Sequence, residues 1–186
     1  LKAGGSVEIL GPLGRGFTLG IDVDEVVLLG GGMGVAPLTF FAQRLGRMRP
    51  APGVVCYVGA RSREDLIGLE RLRPLCAELH IATEDGSCGE RGLITDLFAA
   101  RMRRHDSGRA MMYACGPNPM LQALFRLLAG TSLRCQVSVE ERMACGIGAC
   151  LCCATPVATP GGRVSYRRVC CDGPVFNLRD LRWEVP

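Results

Sequence analysis

Cys145, Cys150, Cys152, Cys153, Cys170 and Cys171 fall within one short stretch of the chain. Their spacing is the first feature with chemical content. Cysteines at C-x4-C-x2-C, with a fourth further on, have the plant-type spacing for holding a [2Fe–2S] cluster through four thiolates. The set that fits is Cys145, Cys150, Cys153 and Cys170. Gly146 and Gly148 lie between the first two. A loop that wraps a cluster needs positive-φ turns and backbone N–H groups near the sulfides, and these glycines can supply both.

Other uses of the same sulfurs have to be weighed. Zinc also takes four cysteines, but zinc modules usually show two short C-x2–4-C pairs, whereas here four residues separate the first pair. Disulfides fit poorly with 11 cysteines, an odd number, in a chain long enough to bury a core. Chemically idle, buried cysteines are common, and Cys56, Cys76 and Cys135, which lie in apolar runs, read that way. Because Cys152 adjoins Cys153 and Cys171 adjoins Cys170, the ligand register stays open at this point.

The elements that must position such a site follow from the pattern upstream. Val26–Leu29 is a short apolar run followed at once by Gly30, Gly31, Gly32, Met33, Gly34, Val35, Ala36 and Pro37, after which Leu38, Phe41 and Leu45 recur at helical spacing. This reads as strand, glycine loop and helix, with Pro37 in the first helical turn. Such a loop admits a pyrophosphate to the N–H groups at a helix start, although the spacing departs from G-x-G-x-x-G and a structural turn is the competing reading. Val54–Val58, Leu79–Ala82, Ala110–Ala114 and Cys135–Val139 read as further buried strands. Asp65–Leu72, Leu93–Arg104 (with Leu93, Ile94, Leu97 and Phe98 inward) and the stretch capped by Asn118 and closed by Gly130 read as helices. Alternation of this kind implies an α/β fold, a parallel doubly wound sheet covered on both faces. Ligands gather at the carboxyl ends of such strands.

Two features stand at those ends. Glu84-Asp85 is either a solvated turn or a carboxylate pair that bonds an adenosine ribose and repels a 2′-phosphate, favouring NAD over NADP. Cys115-Gly116-Pro117 ends the Ala110–Ala114 strand, where Cys115 is either a plain strand-end thiol or a contact for a nicotinamide ring. His80 and His105 show no sequence partner and read as structural or surface residues.

Composition narrows the classes. The chain has 186 residues, 48% of them hydrophobic, and a net charge of +4, which fits one ordinary domain with a small appendage. Its basic residues are scattered and little mixed with aromatics, so no nucleic-acid surface is indicated. The uncharged run Val26–Ala42 approaches membrane-spanning length, but Gly30, Gly31, Gly32, Gly34 and Pro37 interrupt it. No signal peptide is visible, and free thiols with a cluster motif fit a cytoplasmic protein. Ser6–Leu10, ending at Gly11-Pro12-Leu13-Gly14, reads as a strand and turn. With Leu1 at the start, the expectation is a fragment or processed piece of a longer polypeptide.

The combination of Gly30–Pro37, Tyr57-Val58-Gly59-Ala60-Arg61-Ser62, Tyr113–Pro117, Glu141–Cys150 and Asp172–Phe176 resembles the electron transfer subunits of class 1B dihydroorotate dehydrogenases, within the ferredoxin-NADP reductase-like family. That resemblance implies a remnant of a flavin-binding β-barrel at 1–20, an NAD-binding α/β domain at 21–139 and a [2Fe–2S] cluster domain at 140–186. It implies transfer from an FMN-containing catalytic subunit, in a heterotetramer, through the cluster and FAD to NAD+, for pyrimidine biosynthesis. Cys145, Cys150, Cys153 and Cys170 match the cluster ligands, Gly30–Pro37 the pyrophosphate loop, and Cys115, Gly116 and Pro117 the nicotinamide side. The barrel's flavin contacts have no counterpart here. Related subunits of NAD-dependent ferredoxin:NADP oxidoreductases, sulfide dehydrogenases and hydrogenases are the alternative, and a non-catalytic zinc and nucleotide module is an alternative of another class.

Overall fold

The computed structural model describes residues 2–20, 22–105 and 109–183, so the expected domain ends at Leu1 and 184–186 lie outside it. In chain order the elements are β1 (Glu25–Gly31), a 3-10 turn (Gly32–Gly34), α1 (Val35–Leu45), β2 (Gly53–Ala60), α2 (Leu69–Leu72), β3 (Glu78–Thr83), β4 (Glu90–Arg91), α3 (Ile94–Arg101), β5 (Ala110–Cys115), α4 (Asn118–Leu127), β6 (Arg134–Ser138), β7 (Ala154–Ala158), β8 (Val164–Arg168) and β9 (Val175–Asn177). The main sheet runs β4-β3-β2-β1-β5-β6-β9, and β7 with β8 makes a separate hairpin. Its pairings are parallel except β6 with β9. The strand order reverses between β1 and β5, which is where open parallel sheets bind ligands.

Strand alternation sorts the core onto the two faces. Val26 and Leu28 of β1, Val54, Cys56 and Val58 of β2, and Met111, Tyr113 and Cys115 of β5 pack with Leu38, Phe41 and Leu45 of α1. Val27 and Leu29, Val55 and Tyr57, and Met112 and Ala114 face the other way, onto Leu97 and Phe98 of α3 and Leu121 and Leu124 of α4. With both faces covered, β5 and all of β1 after Glu25 are unbroken apolar runs, buried throughout. Each large side chain removed from water here contributes about 1.5–3 kcal/mol.

Several expectations need correction. Ser6–Leu10 is not a strand: it is irregular, with Ile9 87% exposed. An alternating stretch becomes a strand only against a ladder partner, and no described segment pairs with it. Asp65–Leu72 is not one helix, because Leu66 is extended and Gly68 left-handed, which leaves the single turn α2. Leu93 does not point inward: it precedes α3 in extended conformation and is exposed. Asn118 does not cap α4. Pro117 holds that position with an extended backbone, and its carbonyl accepts from the N–H groups of Met120 (2.9 Å) and Leu121 (3.2 Å). Beyond β6 the sheet gains β9, which comes back from the cysteine-rich segment to pair with it. Both histidines have partners: His105 is buried, 2.9 Å from the Tyr57 hydroxyl and 2.7 Å from Glu25, and His80 lies between Glu78 (3.1 Å) and Arg101 (2.8 Å).

Candidate functional site

At the carboxyl ends of β1, β2, β3 and β5 a cleft of about 580 Å³ opens, lined among others by Gly31, Gly32, Met33, Arg61, Glu84 and Pro117. That volume is ordinary for a cofactor site. The glycines are there for reasons of space. A Cβ on Gly34 would drive into the carbonyl of Cys115 and come within 2.8 Å of the Gly116 nitrogen. A Cβ on Gly31 would come within 2.7 Å of the Met120 sulfur, and one on Gly30 within 3.1 Å of Val35. The β1–α1 loop therefore lies directly on the β5–α4 turn, and Pro37 sits in the first turn of α1 as its missing N–H allows.

The predicted cofactor residues separate in this geometry. Gly31, Gly32, Met33, Glu84 and Pro117 line the cleft, whereas Gly30, Gly34, Pro37, Asp85, Cys115 and Gly116 do not. Glu84 is exposed into it. Asp85 instead accepts from the Ser87 N–H (2.9 Å) and hydroxyl (2.7 Å), which hold its carboxyl below the usual range. The Ser87 hydroxyl in turn accepts from the Arg63 N–H at 2.8 Å, tying two rims of the cleft together. Cys115 is buried, and burial pushes its thiol up to about 11, opposed in part by a hydrogen bond with Ser138. Sequence reasoning missed Arg61, Asp65, Ile67 and Met120 as lining residues. The Arg61–Asp65 ion pair (3.3 Å) was readable as an i,i+4 pair, but no local pattern signals the exposed Ile67.

The cysteine-rich segment forms a second site. Gly146 and Gly148 take φ of +70° and +84°, as a turn wrapping a bound group requires. The Ala149 N–H donates to the Cys145 sulfur at 3.3 Å. The N–H groups of Cys150 first and Ile147 next, then the Cys150 side chain and that Ala149 bond, lower the Cys145 thiol to about 6. Cys153 and Cys170 make the second pair. The Cys170 N–H donates to the Cys153 sulfur at 3.5 Å and lowers its pKa, while burial first and then its neighbours Cys153 and Cys171 raise Cys170 to about 11. Cys152 is exposed, and Cys171 is turned toward Gly148. Among the described residues no three His, Cys, Asp or Glu converge as the ligands of one metal ion. Two pairs of sulfurs fit a two-iron, two-sulfide cluster, in which each iron takes two thiolates, better than one tetrahedral ion. Residues 2–16, where the resemblance places the end of a flavin barrel, are exposed and form no regular element.

Comparison with known proteins bears directly on both sites. Residues 28–125 match the oxidoreductase NAD-binding domain, and residues 140–182 match the iron-sulfur cluster binding domain of dihydroorotate dehydrogenase B. The chain is 40% identical over 185 residues to the dihydroorotate dehydrogenase B (NAD(+)) electron transfer subunit of Desulforamulus reducens, covering 98% of this chain and 68% of that one. The chain belongs to the dihydroorotate dehydrogenase B electron transfer subunit family. The subunit of the same name from Caldanaerobacter subterraneus is 39% identical over 176 residues, 66% of its length, so this member spans about two thirds of the curated relatives it matches. Among solved structures, that of an NADH-dependent reduced ferredoxin-NADP oxidoreductase superposes with a TM-score of 0.74 at 26% identity, over 96% of this chain and 60% of that one. A ferredoxin reductase of carbazole 1,9a-dioxygenase shares the fold, with a TM-score of 0.52 over 63% of this chain. This family member is an oxidoreductase component, with a mixed α/β, parallel-rich, ferredoxin-reductase-like fold and an iron–sulfur-binding segment. No helix among its described residues is long and apolar enough to cross a membrane.

Proposed function

We propose that this chain is the electron-conducting component of an NAD-dependent dihydroorotate dehydrogenase of pyrimidine biosynthesis, acting in the cytoplasm. It takes electrons from an FMN-containing catalytic subunit, in a heterotetramer, and delivers them to NAD+. The reading divides the chain into a flavin-barrel remnant at 1–20, the NAD domain at 21–139 and the cluster domain at 140–186. The observation that carries it is a cysteine loop whose backbone turns onto its own sulfurs, the Ala149 N–H on Cys145 at 3.3 Å and the Cys170 N–H on Cys153 at 3.5 Å, in a segment that β9 locks onto the edge of a nucleotide-binding sheet.

Cys145, Cys150, Cys153 and Cys170 would hold a [2Fe–2S] cluster, which when bound accepts and donates single electrons. The backbone N–H groups aimed at Cys145 and Cys153 favour the thiolate state that such binding requires. In the cleft, the N–H groups at the Gly31–Gly34 turn receive the pyrophosphate and Glu84 the adenosine ribose. Cys115, a buried neutral thiol at the end of β5, is assigned to the nicotinamide side through the family resemblance alone, since it does not line the cleft. FAD belongs to this reading through the family, and its contacts are not assigned to residues 2–20. Met143, Ile147 and Leu151, exposed on the cysteine loop, give the catalytic subunit an apolar surface to dock on.

The likeness to the ferredoxin-NADP oxidoreductase structure supports a second reading, with a ferredoxin as partner. Co-expression separates the two. Capture of an FMN-containing enzyme together with dihydroorotate-dependent NADH formation supports the first reading, and capture of a ferredoxin-type protein without that activity supports the second.

A further inference from the structure

Arg168 closes β8 just before Cys170, and it touches both loops that carry the paired cysteines. Its Nη1 donates to the Gly148 carbonyl at 3.0 Å, inside the Cys145–Cys150 loop. Its Nε (3.3 Å) and backbone N–H (2.9 Å) donate to Asp172, two residues beyond Cys170. Its own carbonyl accepts from the N–H groups of Cys171 (3.2 Å), Asp172 (2.8 Å) and Gly173 (3.3 Å). The guanidinium and the Cys171 sulfur crowd the same side of Gly148: a Cβ placed there would be 3.2 Å from Nη1 and 2.8 Å from the sulfur. Asp172 is the partnering carboxylate, and its side chain is 25% exposed.

We propose that Arg168 is the positioning and potential-setting residue of the cysteine cradle, joining the Gly148 loop to the Asp172 turn and placing a fixed positive charge beside the sulfurs. The proposal rests on the cluster reading above. A group held by four thiolates carries negative charge, and each electron it accepts adds one more. A guanidinium stays charged at any working pH and favours the reduced form, while the Asp172 carboxylate opposes it. Arginine serves here where lysine would not, because one planar head donates to a carbonyl on one side and a carboxylate on the other.

The test uses the full chain, reconstituted anaerobically with iron and sulfide, and follows the spectroscopic fraction reduced at fixed ambient potential together with iron release to a chelator. Arg168→Gln is expected to lower the reduced-to-oxidised ratio about tenfold, equivalent to about 59 mV for a one-electron couple. Arg168→Lys keeps the charge and loses the fork, so its ratio stays near that of the wild type while iron release quickens. Asp172→Asn removes the opposing charge and raises the ratio. If the Gln variant fails to hold iron, the Asn variant decides, and a ratio that is unchanged or falls overturns the proposal. A loaded wild type beside an Arg168→Gln variant with the same ratio and the same release rate overturns the role of Arg168 alone. A wild-type chain that holds neither iron nor sulfide overturns the cluster reading beneath it.

Discussion

Gly32 and Gly34 sit two residues apart in the same turn, yet adding one methyl group to each is expected to have different consequences. Gly32 has φ of +53° and open space around its missing Cβ. Gly32→Ala meets only the left-handed backbone penalty, roughly 1 kcal/mol. Gly34 has ordinary helical φ but no room, because the atoms it would strike are the backbone carbonyl of Cys115 and the backbone nitrogen of Gly116. Neither can swing aside as a side chain end would, so the β1–α1 loop must lift off the end of β5. Overpacking of this kind costs ~3 kcal/mol, the upper end of the usual range. For a chain of this length, Tm is expected to drop by about 6–12 °C for Gly34→Ala and about 2–4 °C for Gly32→Ala. Displacing the cleft rim by an ångström should also cost on the order of a hundredfold in NADH-dependent dye reduction by Gly34→Ala. Thermal unfolding and steady-state kinetics of the two variants check both figures. If Gly32→Ala proves as damaging as Gly34→Ala, or Gly34→Ala is neutral, the packing argument fails.

On the proposed reading cofactor choice rests with Glu84, which lines the cleft, rather than with Asp85, which does not. Glu84→Gln is expected to raise the NADPH-to-NADH ratio of kcat/KM about tenfold by removing charge repulsion, whereas Asp85→Asn leaves it within about twofold; the reverse ranking would contradict the assignment. Tyr113 is buried, donates to the Thr18 carbonyl at 3.0 Å, and is pushed by burial up to about 12. Its raised folded-state pKa means that the stabilisation is complete below about pH 10 and is lost as pH rises to about 12, worth ~3 kcal/mol. Tyr113→Phe should lose about 1 kcal/mol at neutral pH yet give a flatter alkaline limb in Tm measured against pH.

Much of this molecule was legible in its sequence. The central strands and the glycine loop announced themselves because a strand buried on both faces must be apolar along its buried length, as β5 is throughout and β1 is after Glu25. Gly146 and Gly148 took the positive φ that their place between cysteines suggested. The failures have physical causes as well. Ser6–Leu10 alternates like a strand, but pairing is a property of two segments and alternation of only one. β9 is three residues long, too short for any periodicity, and is fixed by β6. Glu84 and Asp85 look equivalent as neighbours in sequence, and only the Ser87 bonds show which one the turn consumes. The histidine network is invisible because Glu25 and His105 are 80 residues apart.

The most direct test of the account is the iron and acid-labile sulfide content of the anaerobically purified chain, read together with its visible and paramagnetic resonance spectra. Four thiolates arranged as two pairs should give about two irons and two sulfides per chain, with a one-electron paramagnetic signal on reduction, and Cys150→Ser should abolish or alter that signal. One zinc ion per chain without sulfide, or Cys145 and Cys150 found joined to each other in that material, would contradict it.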